Sequence, residues 1–194
     1  MIPVNIRISK GLILAVVMIS VCLSHGAEEK YSVDEALRVF RLIEKVQSEQ
    51  VSKSASDIRT VIVGESEFNS YIAYRIETEN EELMKELHLK FLPDDRLEGK
   101  IYVDLRGQDI PKFLRPEMNL YLGGKLEVEA KRVRVVLKEL FLEGHPVQPK
   151  LLDLIIYVTS KIQNTEPSSI YDWYELPFGI KNIRIEKGRA IFFY

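Results

Sequence analysis

Residues 118–142, MNLYLGGKLEVEAKRVRVVLKELFL, alternate apolar and polar side chains with a period of two. Leu126, Val128 and Ala130 fall on one face, and Lys125, Glu127, Glu129 and Lys131 on the other. An extended chain puts every second residue on one side, and a sheet with one covered face rewards that arrangement. The return run offers Val133, Val135 and Leu137, then Leu140 and Leu142, two sets of opposite parity. Keeping Glu139 out of the core therefore requires one extra residue near Lys138, a β-bulge, and bulges bend the strand that carries them. The turn between the two runs, around residues 130–132, has no Gly, Pro or Asn to mark it. This segment reads as an antiparallel hairpin with a bulge in its return strand.

The flanking segments supply more strands and the helices to cover them. Ser32 with Glu35 forms a capping box, and Val33, Ala36, Leu37, Phe40, Ile43 and Val46 follow as one apolar stripe, so residues 32–52 read as a helix ended by polar VSKSASD. Ile58 to Val63 reads as a strand. Ser66 is the expected cap of a second helix with Phe68, Tyr71, Ile72 and Ile76 on its apolar face. Leu87, Leu89 and Phe91 alternate with His88 and Lys90; residues 93–96, PDDR, turn the chain, and Leu97 to Leu105 returns. IPKFLRP is a helical or irregular connector. Pro149 suits the start of a third helix, whose Leu151, Leu152, Ile155, Ile156, Val158, Thr159 and Ile162 make a broad buried side. The chain closes on a hairpin, Ile180, Ile183 and Ile185 turning at Lys187-Gly188 into residues 190–194. Hairpins joined through helices imply an α+β fold, a strongly curved antiparallel sheet with helices against one face.

The first 26 residues read as a signal peptide. Arg7 and Lys10 precede the uncharged run Gly11 to Leu23, and small residues lead to a cleavage point after Gly26. Thirteen apolar residues are short for a membrane span, which needs ~20. Acylation of Cys22 is the weaker reading, because Val21 is a poor residue to precede a lipoprotein cysteine. An N-terminally anchored form is the other alternative. The expectation is an exported protein, periplasmic or extracellular, with residues 27–194 as one α+β domain free of cysteine. That part carries 25 basic against 29 acidic side chains, about −4, which argues against nucleic acid.

Catalytic and metal patterns are missing. His88 lies on the polar side of a strand and His145 in a Gly-His-Pro turn, without metal-ligand spacing. Gly64-Glu65-Ser66-Glu67-Phe68 lacks the second glycine of a nucleophile elbow, and no glycine-rich phosphate loop is present. Asp94 and Asp95 sit in a turn and are expected to be solvated; Asp104 and Asp109 flank a loop. Lys131, Arg132, Arg134 and Lys138 form a basic cluster that Glu127 and Glu129 can neutralise across strands, with an anionic headgroup or a partner as the functional alternative. The sequence therefore predicts no enzyme, no metal and no cofactor.

Three stretches carry a resemblance. Residues 61–72, VIVGESEFNSYI, resemble the strand and E-x-E-[LF]-N-S-Y helix entry of a group of bacterial exported proteins. Gly124-Lys125-Leu126 with Gly144-His145-Pro146-Val147, and residues 175–190, ELPFGIKNIRIEKGRA, are similar to their later strand, helix entry and terminal hairpin. The element order in turn resembles single-domain tubular lipid-binding (TULIP) proteins, in which a curved sheet wraps a long helix. That resemblance implies a protein that binds or shuttles a lipid and has no catalytic residues. The glycine-free turn at 130–132 departs from the pattern.

The candidate ligand-binding residues are Phe40, Tyr71, Tyr74, Trp173, Tyr174 and Phe178. The stretch YDWYELPFG, residues 171–179, is either a lip for an apolar ligand or a cap on one end of the core. A cavity of roughly 300 Å³ or more between the first helix and the sheet would favour the ligand. The partners this admits are a lipid or other apolar small molecule, an envelope protein, and peripheral contact with a membrane. The alternative is a ligand-free interaction or assembly module, with residues 191–194, IFFY, as a candidate free strand edge.

Overall fold

The computed structural model describes residues 31–51, 58–79, 81–112, 114–166 and 168–194. The signal-peptide reading of residues 1–26, the Cys22 alternative and the polar stretch 52–57 lie outside the described residues. The elements, in order, are α1 (Val33–Val51), β1 (Thr60–Gly64), α2 (Glu65–Thr78), β2 (Met84–Leu92), β3 (Arg96–Asp104), β4 (Glu117–Glu129), β5 (Arg132–Leu142), β6 (His145–Pro146), α3 (Lys150–Ile162), β7 (Tyr174–Glu175), β8 (Asn182–Glu186) and β9 (Arg189–Phe193). Between β3 and β4 the described residues form turns rather than a helix.

Strands β2-β3-β4-β5-β6 make an antiparallel sheet, with the short β7 also on β5. The sheet curls through 196° into a half barrel. Its bulge lies where parity requires it: Gly123 pairs with Glu139 and Gly124 with Leu137, so Lys138 is the extra residue. The bulge draws the backbones together. A Cβ on Gly124 would lie 2.8 Å from the Val136 carbonyl oxygen, which explains glycine on this strand. The β4–β5 turn is Ala130-Lys131, both with positive φ (49° and 61°), a geometry that normally asks for Asn-Gly. The β2–β3 loop is one residue longer, Pro93-Asp94-Asp95, and its two aspartates also have positive φ (64° and 59°). Across β4 and β5, Glu127 and Arg134 are register partners and form an ion pair at 2.7 Å, the expected neutralised outer face.

Most of the concave face is filled, and Leu89, Phe91 and Leu97 at one end of it border an open space. Leu89 and Phe91 of β2, Leu97 and Ile101 of β3, and Met118, Leu120 and Leu122 of β4 form one buried cluster with Ile72 of α2 and Leu152, Ile155, Ile156 and Val158 of α3. The sheet therefore wraps α2 and α3. The buried residues of α1, Ala36, Val39 and Val46, stand outside that cluster.

A second, three-stranded sheet has the order β1-β9-β8. The terminal strand is thus central, paired on both sides, and the expected free edge at 191–194 does not exist. Asp95 joins the two sheets. Its carboxylate accepts from Ile185 N–H (2.8 Å), and its carbonyl accepts from Leu126 N–H (2.8 Å). Asp95 is a half-buried tie, not the solvated turn residue expected; Asp94 is exposed.

Candidate functional site

The E-x-E-x-N-S-Y stretch is explained by hydrogen bonding. Helix α2 starts directly on Gly64, whose N–H donates to the Glu67 carboxylate at 2.8 Å. Ser66 is not the cap expected of it. It lies inside the first turn, and its hydroxyl donates to Glu35 at 2.8 Å. Ser70 donates to the same oxygen at 2.8 Å and accepts from Ser32 N–H, so α1 begins docked on α2. Asn69 acts as a substitute strand: its amide donates to Leu89 C=O and accepts from Leu89 N–H, both at 2.7 Å. Glu65 accepts from Phe91 N–H. These side chains cover the Leu89 and Phe91 positions of the β2 edge, which would otherwise offer bare backbone groups to another chain.

Fixing α1 and α2 this way leaves a space beneath α1. The cavity has a volume of about 230 Å³. Val39, Leu42, Ile43 and Val46 of α1 face it, the i, i+3, i+4, i+7 stripe of a single helix face. Phe68, Tyr71, Ile72 and Ile76 of α2 form the adjoining wall. Val61 and Val63 of β1, Ile183 and Ile185 of β8, and Ala190 and Phe192 of β9 supply the alternating inner face of the second sheet. Leu97, Leu126 and Val133 add the rim of the curled sheet. Leu176, Pro177, Phe178 and Ile180 close one end. The volume is under the roughly 300 Å³ where small-molecule sites begin, yet above the ~150 Å³ of an apolar cavity that takes up benzene.

The six sequence candidates separate. Tyr71 and Phe178 line the cavity. Phe40 and Tyr74 do not; they form the α1–α2 seam, Phe40 packing edge-on against Tyr71 and Tyr74 with centroids 4.9 and 5.6 Å apart. Tyr174 is in β7 opposite Val133, and its hydroxyl donates to the Ser169 carbonyl. Trp173 lies under the guanidinium groups of Arg134 and Arg132, 4.5 and 5.7 Å from its ring. It is neither lip nor core cap, because cation–π stacking holds its ring against the basic cluster. Phe178 has φ +56°, a left-handed conformation that costs an aromatic residue about 1–2 kcal/mol and sets its ring at the cavity end.

Sequence reasoning missed the polar side of the cavity. Arg75, Glu79, Glu81 and Glu175 are its charged lining residues. The Arg75 side chain is only 14% exposed. It donates to the Tyr71 hydroxyl oxygen at 2.9 Å and pairs with Glu79 one turn on. Its Nε–H is buried without a hydrogen-bond partner, an omission that costs about 1–3 kcal/mol. Burial pushes the Tyr71 phenol pKa up while Arg75 pulls it down. Glu81 is held by Gln163 at 2.8 Å. The available signal was position: Arg75 is four residues from Tyr71 and beside Ile76, a cation on an apolar helix face.

The remaining polar candidates have structural partners or lie in solvent. His88 and His145 are exposed. Arg106 grips Asp104 through Nε (2.9 Å) and a terminal nitrogen (2.5 Å), holding its carboxyl at a pKa of about 2. No metal-ligand cluster occurs among the described residues. No family model matches the chain, and no curated protein is significantly similar to it.

Proposed function

We propose that the mature chain is an exported, non-enzymatic protein that holds a lipid tail or other apolar molecule between α1, α2 and the two sheets. The observation that carries this reading is the apolar cavity beneath α1. A space lined by Val, Leu, Ile and Phe cannot hold water well, so its natural occupant is apolar. The curled half barrel around helices supports the resemblance to tubular lipid-binding proteins. At about 230 Å³ the space suits one ring or a short stretch of a single chain, not a whole diacyl lipid.

Purified protein extracted with organic solvent and analysed by mass spectrometry should release a small apolar molecule. Val46→Phe, which fills the cavity from α1, should abolish that release and leave the fold intact. A wild-type protein that releases nothing and takes up no apolar dye would refute the reading.

One observation favours the interaction module as a second reading. Strand β1 pairs with β9 alone among the described strands, and it carries exposed Ile62, with exposed Ile58 just before it. Such an edge can accept a strand from a partner protein. Photo-crosslinking from Ile62 in cells should trap a protein under this reading, and only solvent or lipid under the first.

A further inference from the structure

We propose that the molecule held in this cavity is a monocarboxylate, with Arg75 receiving its head and Glu79 occupying that place when the cavity is empty. The proposal rests on the reading of the cavity as a ligand site and adds the chemical class of the ligand.

Arg75 is the one cation among the described lining residues, and it is largely buried; of the three carboxylates that share the wall, Glu81 is held by Gln163, Glu175 is exposed, and Glu79 is the one paired with Arg75. An arginine in such a place needs an anion, and the anion it has is replaceable. Glu79 follows the last turn of α2 with its side chain 42% exposed, so it can leave for water at small cost. An incoming carboxylate exchanges one anion for another and never leaves the guanidinium unpaired. An alcohol would leave the Arg75–Glu79 pair in place and gain a single neutral hydrogen bond.

The neighbouring donors point the same way. The Tyr71 oxygen accepts from Arg75, so its own hydroxyl proton remains a donor. The Arg75 Nε–H also lacks an acceptor. Release of Glu79 frees the guanidinium to turn and bring that edge to the two oxygens of a carboxylate, the planar acceptor its fork matches. A short tail then extends between the α1 stripe and Ile183, Ile185 and Phe192.

The test is displacement of a neutral naphthylamine dye from the purified protein by octanoate and by octanol, which share tail length and differ in head. Octanoate should displace the dye at a concentration at least roughly tenfold lower, as a charge-assisted contact implies. Arg75→Gln should erase that preference, so that octanoate and octanol displace the dye at the same concentration. Glu79→Gln, which removes the competing anion, should strengthen octanoate roughly twofold to fivefold and leave octanol unchanged. Equal displacement by acid and alcohol in the wild type, a preference that survives Arg75→Gln, or an indifferent Glu79→Gln would each overturn the proposal and leave the cavity reading standing. Failure of the dye to bind at all would overturn both.

Discussion

The concave face of the curled sheet and the underside of α1 follow the same amphipathic rule and end differently. Met118, Leu120 and Leu122 on β4 are fully buried and packed with residues of α2 and α3. The apolar face of α1 looks into a cavity of about 230 Å³. Two causes are visible. The largest side chain of the α1 stripe, Phe40, turns to the α2 seam, leaving medium-sized Val39, Leu42, Ile43 and Val46 to span the gap. Polar ties also hold α1 at both ends: Glu35 to Ser66 and Ser70, Arg38 to Glu67, and Glu49 to Arg59 and Tyr194. A helix pinned in this way cannot sink onto the sheet to close the space, so its side chains give up dispersion contacts that a filled core would supply. An amphipathic stripe therefore says which face is covered, and says nothing of whether the covered space is filled.

The strongest way to break this contrast is to truncate one side chain on each side. Leu120→Ala should cost about 3–5 kcal/mol in denaturant unfolding, because the tightly packed site cannot collapse. Ile43→Ala, at the cavity wall, should cost roughly half of that or less, since few atoms face it. Equal losses would mean that α1 is packed as tightly as the sheet. Next in size, Asn69→Ala leaves both backbone groups of Leu89 without their partner and should cost roughly 2–3 kcal/mol. A loss indistinguishable from zero would show that water replaces the side chain and that the β2 edge needs no cover.

The smallest effect belongs to neither region. The Asp104 carboxyl is depressed in the folded protein to a pKa of about 2 by Arg106, below the ~3.9 of an unfolded aspartate. Its contribution to stability is therefore complete above about pH 4 and is lost as pH falls towards 2. Asp104→Asn should lower the melting temperature above about pH 4 and leave it unchanged near pH 2, and the loss should be slight because the Arg106 side chain is 61% exposed. A change in ligand uptake by this variant would show that the two regions are coupled in a way their geometry does not suggest.

Much of the architecture was legible from local rules. The α1 and α3 stripes, the alternating strands and the bulge at Lys138 follow from periodicity, and parity alone demanded the bulge. Contacts distant in sequence were not legible. Asn69 reaches Leu89 across 20 positions and Asp95 reaches Ile185 across 90, and nothing local distinguishes either from an ordinary turn or helix residue. Residues 191–194 look like any terminal strand, and only the pairing of β9 with β1 as well as β8 makes them central. The aromatic stretch 171–179 was the feature most easily misjudged. Composition groups Trp173 with Phe178, but Arg134 stacks on one while the other lines the cavity.

By itself the sequence determined an antiparallel curved sheet, the helices that cover it and the face each element buries, because backbone period converts residue order directly into sidedness. Whether those faces meet was decided by the tertiary structure. The distance between α1 and the sheet is set by hydrogen bonds and ion pairs at its two ends, and that distance leaves the cavity and places Arg75 in its wall.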